Sequence, residues 1–366
     1  MATSPPDAVE APASLPGAER AAAGDHPFPL TVIVPAYNEA GSIGDTIASL
    51  LEQTLRPLEI IVVDDCSSDG TGDVARAMDV TVIRPERNTG SKAGAQTFAL
   101  RHVTTEFVMA LDADTTLERD AIETLAAAFE DPSVAAACGF VIPRRQDTVW
   151  ERGRYFEYLF AFGFFKQIQD FYGKPTISSG CFSMYRTTLL KQVGGWSDRT
   201  LAEDMDLTWT YYQRGWGVRF LPEAVSYPIE PHDLRLMRSQ LRRWSHGFVQ
   251  NVRLHWRGIL RTPFLRYSVG VMFWDATIAT LAYFAFIPSL ALYLGQVWPL
   301  LAYAIDIPVV LVPVVAAAHS RREVGKALRS TPAFFILRVL NAFHFLEAVW
   351  SEVIRGRRFS VYEKGH

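Results

Sequence analysis

The sequence predicts an α/β domain built on a mostly parallel sheet and followed by helices that meet a membrane. Three observations carry this. Strand-like and helix-like segments alternate through the first third of the chain. The apolar strands there end in clusters rich in carboxylates, and from about Phe264 the chain turns markedly apolar. The 366 residues suffice for one large or two modest domains. A net charge of -3 gives no reason to expect nucleic acid or another polyanion as partner. Cys66, Cys138 and Cys181 are few, odd in number and scattered, which argues against a disulfide framework and for a reducing compartment.

Residues 1–27 are rich in Ala, Pro and Gly and read as a disordered tail. They lack the basic start and apolar core of a signal peptide, so the domain that follows is expected in the cytoplasm. Strands are expected at Leu30–Pro35, Leu58–Asp64, Val80–Arg84 and Glu106–Asp112, all short, β-branched and bounded by turn residues. Helices are expected near Ser42–Gln53, Gly72–Met78, Ser91–His102 and Glu118–Phe129. In such sheets ligands sit at the carboxyl ends of the strands. The first strand ends in "PAYNEA", the second in "DDCSSDGTG", the fourth in "DAD". Asp64, Asp65, Asp112 and Asp114 should therefore converge on one rim, where they repel unless a cation or hydrogen-bond donors compensate. Asp112 and Asp114 are two apart and on extended chain project to one side. Mg²⁺ is commonly held by one or two carboxylates plus substrate phosphates. The competing reading is a turn that caps the next helix.

Residues 143–256 form a second section. Arg154–Gly173 is unusually aromatic. In "HDLRLMRSQLRRWSHGFVQNVRLHW", Leu234, Met237, Leu241, Trp244 and Phe248 step by three or four and define one helical stripe, with most arginines off it. A basic amphipathic helix just before an apolar section suits a membrane surface. Val269–Leu294 and Val297–Ala318 are long and apolar enough to cross a bilayer, and Pro288, Pro299, Pro308 and Pro313 make them irregular. Arg257, Arg261 and Arg266 precede the first and Arg321, Arg322, Lys326 and Arg329 follow the second, so both basic flanks are expected in the cytoplasm. A third apolar segment, Pro332–Ile354, carries Arg338, His344, Glu347 and Glu352, and "RGRRF" follows it. It is expected to lie in the interface, giving about two transmembrane helices. Asp275 and Asp306, inside the spans, either line a polar path or pair with Arg338 or His344.

The motifs "VIVPAYNE", "VVDDCSSDGT", "GSKAGA", "DAD", "AED" and "QLRRW" stand in the order found in family 2 glycosyltransferases. The chain resembles their membrane-bound, often processive branch, the synthases of chitooligosaccharide, hyaluronan, cellulose and poly-N-acetylglucosamine. The match runs from about Leu30 to Trp256. It departs from them in having Ala202 where Thr is usual and in lacking the N-terminal membrane span of many relatives. The resemblance implies a GT-A, Rossmann-like domain over residues 28–230 and interfacial helices over 231–262. Two membrane helices over 263–320 and a basic loop, third helix and tail over 321–366 would follow, in a multi-pass protein of the inner (plasma) membrane.

The resemblance also implies site residues. Pro35, Tyr37, Glu39 and Asp65 would hold the uridine, with one of Asp64 and Asp65 expected to stand behind the site and Asp64 offered as the structural one. Lys92, at a helix N-terminus, would favour the diphosphate. Asp112 and Asp114 would bear on the ribose and on Mg²⁺ or Mn²⁺. Asp204 matches the catalytic carboxylate that takes the acceptor proton during an inverting displacement. Glu203 and Asp206 read as nearby decoys, with Glu203 kept in the catalytic group. Arg243 would grip the departing diphosphate, with Gln240 donating to substrate. Ser179, Gly180, Cys181 and Trp244 would border the acceptor, and Arg242 would be lipid-facing or solvated. The expected reaction moves a sugar, GlcNAc or Glc, from a UDP-sugar to a growing membrane-associated polysaccharide. Alternatives are a single transfer to a lipid and a non-catalytic synthase subunit. Membrane lipids, a glycan or glycolipid acceptor, and self-association or a partner subunit complete the expected partners.

Overall fold

A computed structural model describes residues 27–360. Apart from Pro27, the expected N-terminal tail lies outside the described residues, as do residues 361–366. The first half alternates as the sequence implies: β1 (Phe28–Ala36), α1 (Ile43–Leu51), β2 (Pro57–Asp64), α2 (Thr71–Arg76), β3 (Thr81–Ile83), α3 (Lys92–Leu100) and β4 (Phe107–Leu111). A short β5 (Thr116–Leu117), α4 (Ala121–Ala127) and β6 (Val134–Val141) follow. Next come α5 (Val149–Phe160), running through a π-turn into α6 (Lys166–Phe171), then β7 (Phe182–Arg186), α7 (Thr187–Gln192), α8 (Glu203–Gln213) and β8 (Gly217–Tyr227). The patterning of residues 134–227 signals none of the strands β6, β7 and β8.

The eight strands form one sheet in the order β3-β2-β1-β4-β7-β6-β8-β5. β1 pairs in parallel with β2 and β4, β2 with β3, and β6 with β8. β7 runs antiparallel to β4 and β6. This reversal positions the site. Leu111, the last residue of β4, pairs with Phe182, the first of β7. The segment entering β7 therefore arrives at the rim where β1, β2 and β4 end. Both sheet faces are covered: Ile33 and Val63 pack into one core, Val32, Val34 and Val62 into the other. Burial on both sides is why these strands read as continuous apolar runs.

The remainder is helical: α9 (Leu234–Arg261), α10 (Pro263–Trp274), α11 (Ile287–Leu294), α12 (Val312–Ser320) and α13 (Val324–Val349). Asp233 caps α9 by accepting from Leu236 N–H at 2.8 Å. The predicted stripe on α9 is partly covered by protein: Met237, Leu241 and Phe248 are buried within the chain, while Leu234 and Trp244 stay exposed. The periodicity of a helix reveals an apolar face and not what covers it, and here protein covers its middle. Arg242, expected to be lipid-facing or solvated, is partly exposed and also has protein partners. It pairs with Glu347 at 3.0 Å and lies 4.5 Å above the Phe359 ring.

Three helical stretches are long and apolar enough to cross a membrane: Pro263–Leu294, Trp298–Ser320 and Val324–Ile354. The first two are broken by π- and 3₁₀-turns at Asp275–Ala279, Ala282–Phe286, Trp298–Ile305 and Ile307–Leu311. Pro299 and Pro308 sit in the last two of these turns, where a missing N–H disturbs the ladder. The third stretch starts at Val324, ahead of the Pro332 start expected for the interfacial segment. It is 33% buried, against 6% for each of the others. Its charges meet protein partners. Arg338 reaches Asp306 at 3.1 Å and Asp275 at 3.7 Å, and Tyr283 donates to Asp306 at 2.6 Å. Of the two readings of Asp275 and Asp306, pairing with Arg338 is what the structure contains. Arg338→Met strands Asp306 beside apolar helices. It is expected to lower the melting temperature in detergent by several degrees, checked by scanning fluorimetry.

Candidate active site

The loops after β1 and β2 are knitted together. Asn38 adopts a left-handed φ of 56°, its N–H donates to Ser67 Oγ at 3.0 Å, and its Oδ1 accepts from Ser68 N–H at 2.9 Å. Asp64 is buried, accepts from Arg84 at 2.6 Å and from Ser67 N–H at 2.9 Å, and is a structural acid. Asp65 accepts from Thr89 N–H at 2.8 Å and Thr89 Oγ1 at 2.9 Å, which ties β2 to the loop before α3. Glu39 is buried and accepts from Ser42 Oγ at 2.6 Å, while Tyr37 is exposed at the rim. Pro35 lies within β1, against Val63 of β2.

Lys92 is the first residue of α3, whose N-cap Ser91 accepts from Gly94 N–H. Its ammonium forms an ion pair with Asp112, donates to Gly180 O at 2.9 Å and lies 4.0 Å from Glu203. It is no solvated surface lysine. Asp112 N–H donates to Cys181 O at 3.2 Å, locking the end of β4 to the segment entering β7. Burial pushes the Asp112 carboxyl above the ordinary range, against the pull of Lys92, and the adjacent Asp114 pushes it further. Arg243 is close enough to lower both Asp112 and Glu203.

Glu203 and Asp204 open α8, where the helix dipole favours carboxylates. Asp204 Oδ2 accepts from Gly180 N–H at 2.9 Å and Oδ1 from Met205 N–H at 2.8 Å. The carboxylate is thus fixed against the segment Ser179–Gly180–Cys181. The residue Asp206 is drawn away by a fork from Arg199 and by His255 at 2.6 Å, so it is a brace. Burial pushes the Cys181 thiol far above its ordinary value, which suits a packing role.

The helix α9 is clamped to the start of α8. A Cβ on Gly247 would lie 2.8 Å from Ala202 Cβ and 2.9 Å from Ala202 N, so glycine permits this approach. Asn251 donates to Ala202 O at 3.0 Å, and His255 reaches Asp206 from one helical turn further. This close crossing carries Arg243 to the acids.

Gln240 and Trp244 both have partners within the protein. Gln240 Oε1 accepts from Arg154 Nη2 at 2.6 Å, and Gln240 Nε2 donates to Glu230 at 3.3 Å. Trp244 is 37% exposed, and one face of its ring carries the Arg154 guanidinium at 4.5 Å. Arg154 and Glu230 escaped the sequence reading. Their only signal was a charge inside the aromatic stretch and a carboxylate in "PIEPHD". Lys166, buried with its ammonium 2.8 Å from Ser179 Oγ and over the rings of Phe162 and Phe220, was also missed.

Burial pushes the Glu203 carboxyl upward, more than the charges of Lys92 and Arg243 lower it. A carboxyl whose folded pKa is raised contributes stability below its unfolded pKa and loses it as pH rises through the folded value. Glu203→Gln is therefore expected to melt above the parent at pH 8, with the gap closing towards pH 5; thermal melts across pH check this.

Residues 31–194 match the sequence profile described as "Glycosyl transferase family 2". The chain carries a family 2 glycosyl transferase domain. Over 271 residues it is 26% identical to a poly-beta-1,6-N-acetyl-D-glucosamine synthase of Staphylococcus aureus (strain MSSA476), covering 73% of this chain and 64% of that protein. Over 223 residues it is 27% identical to the synthase of the same name from Staphylococcus epidermidis (strain ATCC 35984), covering 60% and 54%. The chain thus spans less than two thirds of the length of these curated relatives. The fold matches a solved mannosyltransferase, PcManGT from Pyrobaculum calidifontis in complex with GDP-Man and Mn²⁺. That match has a TM-score of 0.56 and 21% identity and covers 90% of this chain and 91% of that one. The glycosyl transferase domain therefore has the GT-A-like architecture, with C-terminal helices added.

Proposed function

We propose that this chain is an inverting, metal-dependent glycosyltransferase that moves a sugar from a UDP-sugar onto a membrane-associated glycan. The observation that carries this is the meeting of Asp112, Lys92, Glu203, Asp204 and Arg243 around Gly180 at the sheet rim. The likeness to the staphylococcal poly-beta-1,6-N-acetyl-D-glucosamine synthases favours N-acetylglucosamine as the sugar and a polymer as product.

The donor set suits a divalent cation. Asp112 and Asp114 are hard oxygen ligands two residues apart, and burial leaves Asp112 in need of positive charge. Among the described residues no group of three or more His, Cys, Asp or Glu side chains is gathered closely enough to hold an ion unaided. Two carboxylates completed by substrate phosphates is the usual arrangement for Mg²⁺ or Mn²⁺. Such an ion supplies positive charge to the departing diphosphate.

The chain's own residues divide the remaining work. Tyr37, Glu39 and the loop fixed by Asp65 form the nucleoside side. Asp204, aimed by two backbone N–H groups, takes the proton from the acceptor hydroxyl as that oxygen attacks the anomeric carbon. One displacement inverts the configuration. Lys92 holds Asp112 and Gly180 in register, and Arg243 meets the charge that develops on the leaving group. The exposed face of Trp244 is free to stack on an acceptor sugar. With catalytic loops at the rim and basic residues flanking the apolar helices, the domain sits on the cytoplasmic side of the membrane.

Purified protein in nanodiscs, given a panel of UDP-sugars with GDP-mannose for comparison and Mg²⁺ or Mn²⁺, tests this. Turnover of UDP-N-acetylglucosamine into a polymer supports it. Transfer of one sugar to lipid would redirect the acceptor, and no turnover with any donor would refute the reading.

A further inference from the structure

Arg154 is fully buried in α5, and its guanidinium is spent on several elements at once. Nη1 donates to Glu157 at 2.5 Å, Nη2 donates to Gln240 Oε1 at 2.6 Å and lies 3.3 Å from Met237 Sδ, and Nε is 3.5 Å from Glu230. Its planar face covers Trp244. The partners are themselves fixed. Tyr158 donates to Glu230 at 2.7 Å, Gln240 donates to Glu230 at 3.3 Å, and Asn341 of α13 donates to Glu157 at 2.9 Å.

Met237, Gln240 and Trp244 are three, then four residues apart and share one face of α9. Arg243 precedes Trp244 and is turned about 100° round the axis from it. A guanidinium that grips Gln240 and Trp244 fixes the rotation and height of this one turn. That setting decides where Arg243 meets Asp112 and Glu203. A lysine has a point charge and no fork, so it cannot bond Gln240 and cover Trp244 together.

We propose that Arg154 is a positioning residue for the transfer reaction: it clamps the Gln240–Trp244 turn of α9 and thereby aims Arg243 at the leaving diphosphate. The inference rests on the reading that Arg243 acts on that leaving group. Gln240 then serves Arg243 and does not itself bind the donor. Trp244 keeps one face for the clamp and offers the other to the acceptor.

The test uses the full chain in nanodiscs with UDP-N-acetylglucosamine and Mn²⁺. Arg154→Lys keeps the buried charge and removes the fork, and Gln240→Leu removes the α9 acceptor without touching Arg154. Both are expected to lower kcat about 10–100-fold, with donor KM unchanged within about twofold. In an Arg243→Lys background, Arg154→Lys is expected to cost less than about threefold, because the residue it aims is already lost. An equal fall in both backgrounds, or no fall in either, overturns the proposal. A readout independent of turnover separates this from failure of the functional reading. With 5-fluorotryptophan incorporated, the Trp244 fluorine resonance, assigned by Trp244→Phe, is expected to shift in Arg154→Lys and in Gln240→Leu. An unmoved resonance in folded protein overturns the clamp whether or not the chain turns over this donor.

Discussion

Asp204→Asn is expected to lower kcat by about 10³-fold while donor KM changes by less than about threefold. The amide is nearly isosteric, and its oxygen can still accept from Gly180 N–H or Met205 N–H, so the start of α8 keeps its shape. What disappears is the capacity to take a proton. The neighbouring acids do not substitute: Glu203 faces Lys92, and Asp206 is held by Arg199 and His255. A progress curve for released UDP, beside a titration of UDP binding, checks both halves. Loss of UDP binding together with turnover would move Asp204 from the proton-transfer step to donor binding.

Arg243→Ala is expected to cost about 10²–10³-fold in kcat, and Arg243→Lys less. The charge matters most as the diphosphate leaves, so the loss should fall on kcat more than on donor KM. Arg243 also relieves the buried acids, lowering Asp112 and Glu203. The alanine variant should therefore need a higher pH to ionise them, and its activity should decline further on the acid side than that of the parent. A pH–rate profile of the two proteins measures this. Superimposable profiles would mean that Arg243 does not act on these acids.

Much of the donor side was legible in the sequence. The strands β1, β2 and β4 are apolar, β-branched and bounded by polar turns, so their ends and the acids on them could be read directly. One of Asp64 and Asp65 is expected behind the site and Asp206 reads as a decoy; Asp64 pairs with Arg84 and Asp206 with His255. The strand β6, "VAAACGFV", was not legible. It is rich in Ala and Gly, and a Cβ at Gly139 would lie 2.2 Å from Ala224 O, so close sheet packing replaces β-branched propensity. The helix α9 was found by its period, but its cover was not. That depends on α8, α5 and α13, which lie far off in sequence. Arg154 reaches Gln240 across 86 positions, and no local spacing announces such a contact. The charges of Val324–Ile354 suggested an interfacial segment because their partners Asp306, Arg242 and His246 lie in other stretches.

The central claim is that acids from separate loops assemble around a cation-bridged diphosphate at the sheet rim, opposite an arginine delivered by α9. Electron paramagnetic resonance of Mn²⁺ tests it most directly, with UDP added or withheld. The parent protein is predicted to take up one ion in a UDP-dependent manner, and Asp114→Asn to lose that uptake. Undiminished Mn²⁺ uptake by Asp114→Asn, or full-rate turnover by chelator-stripped protein, would contradict it.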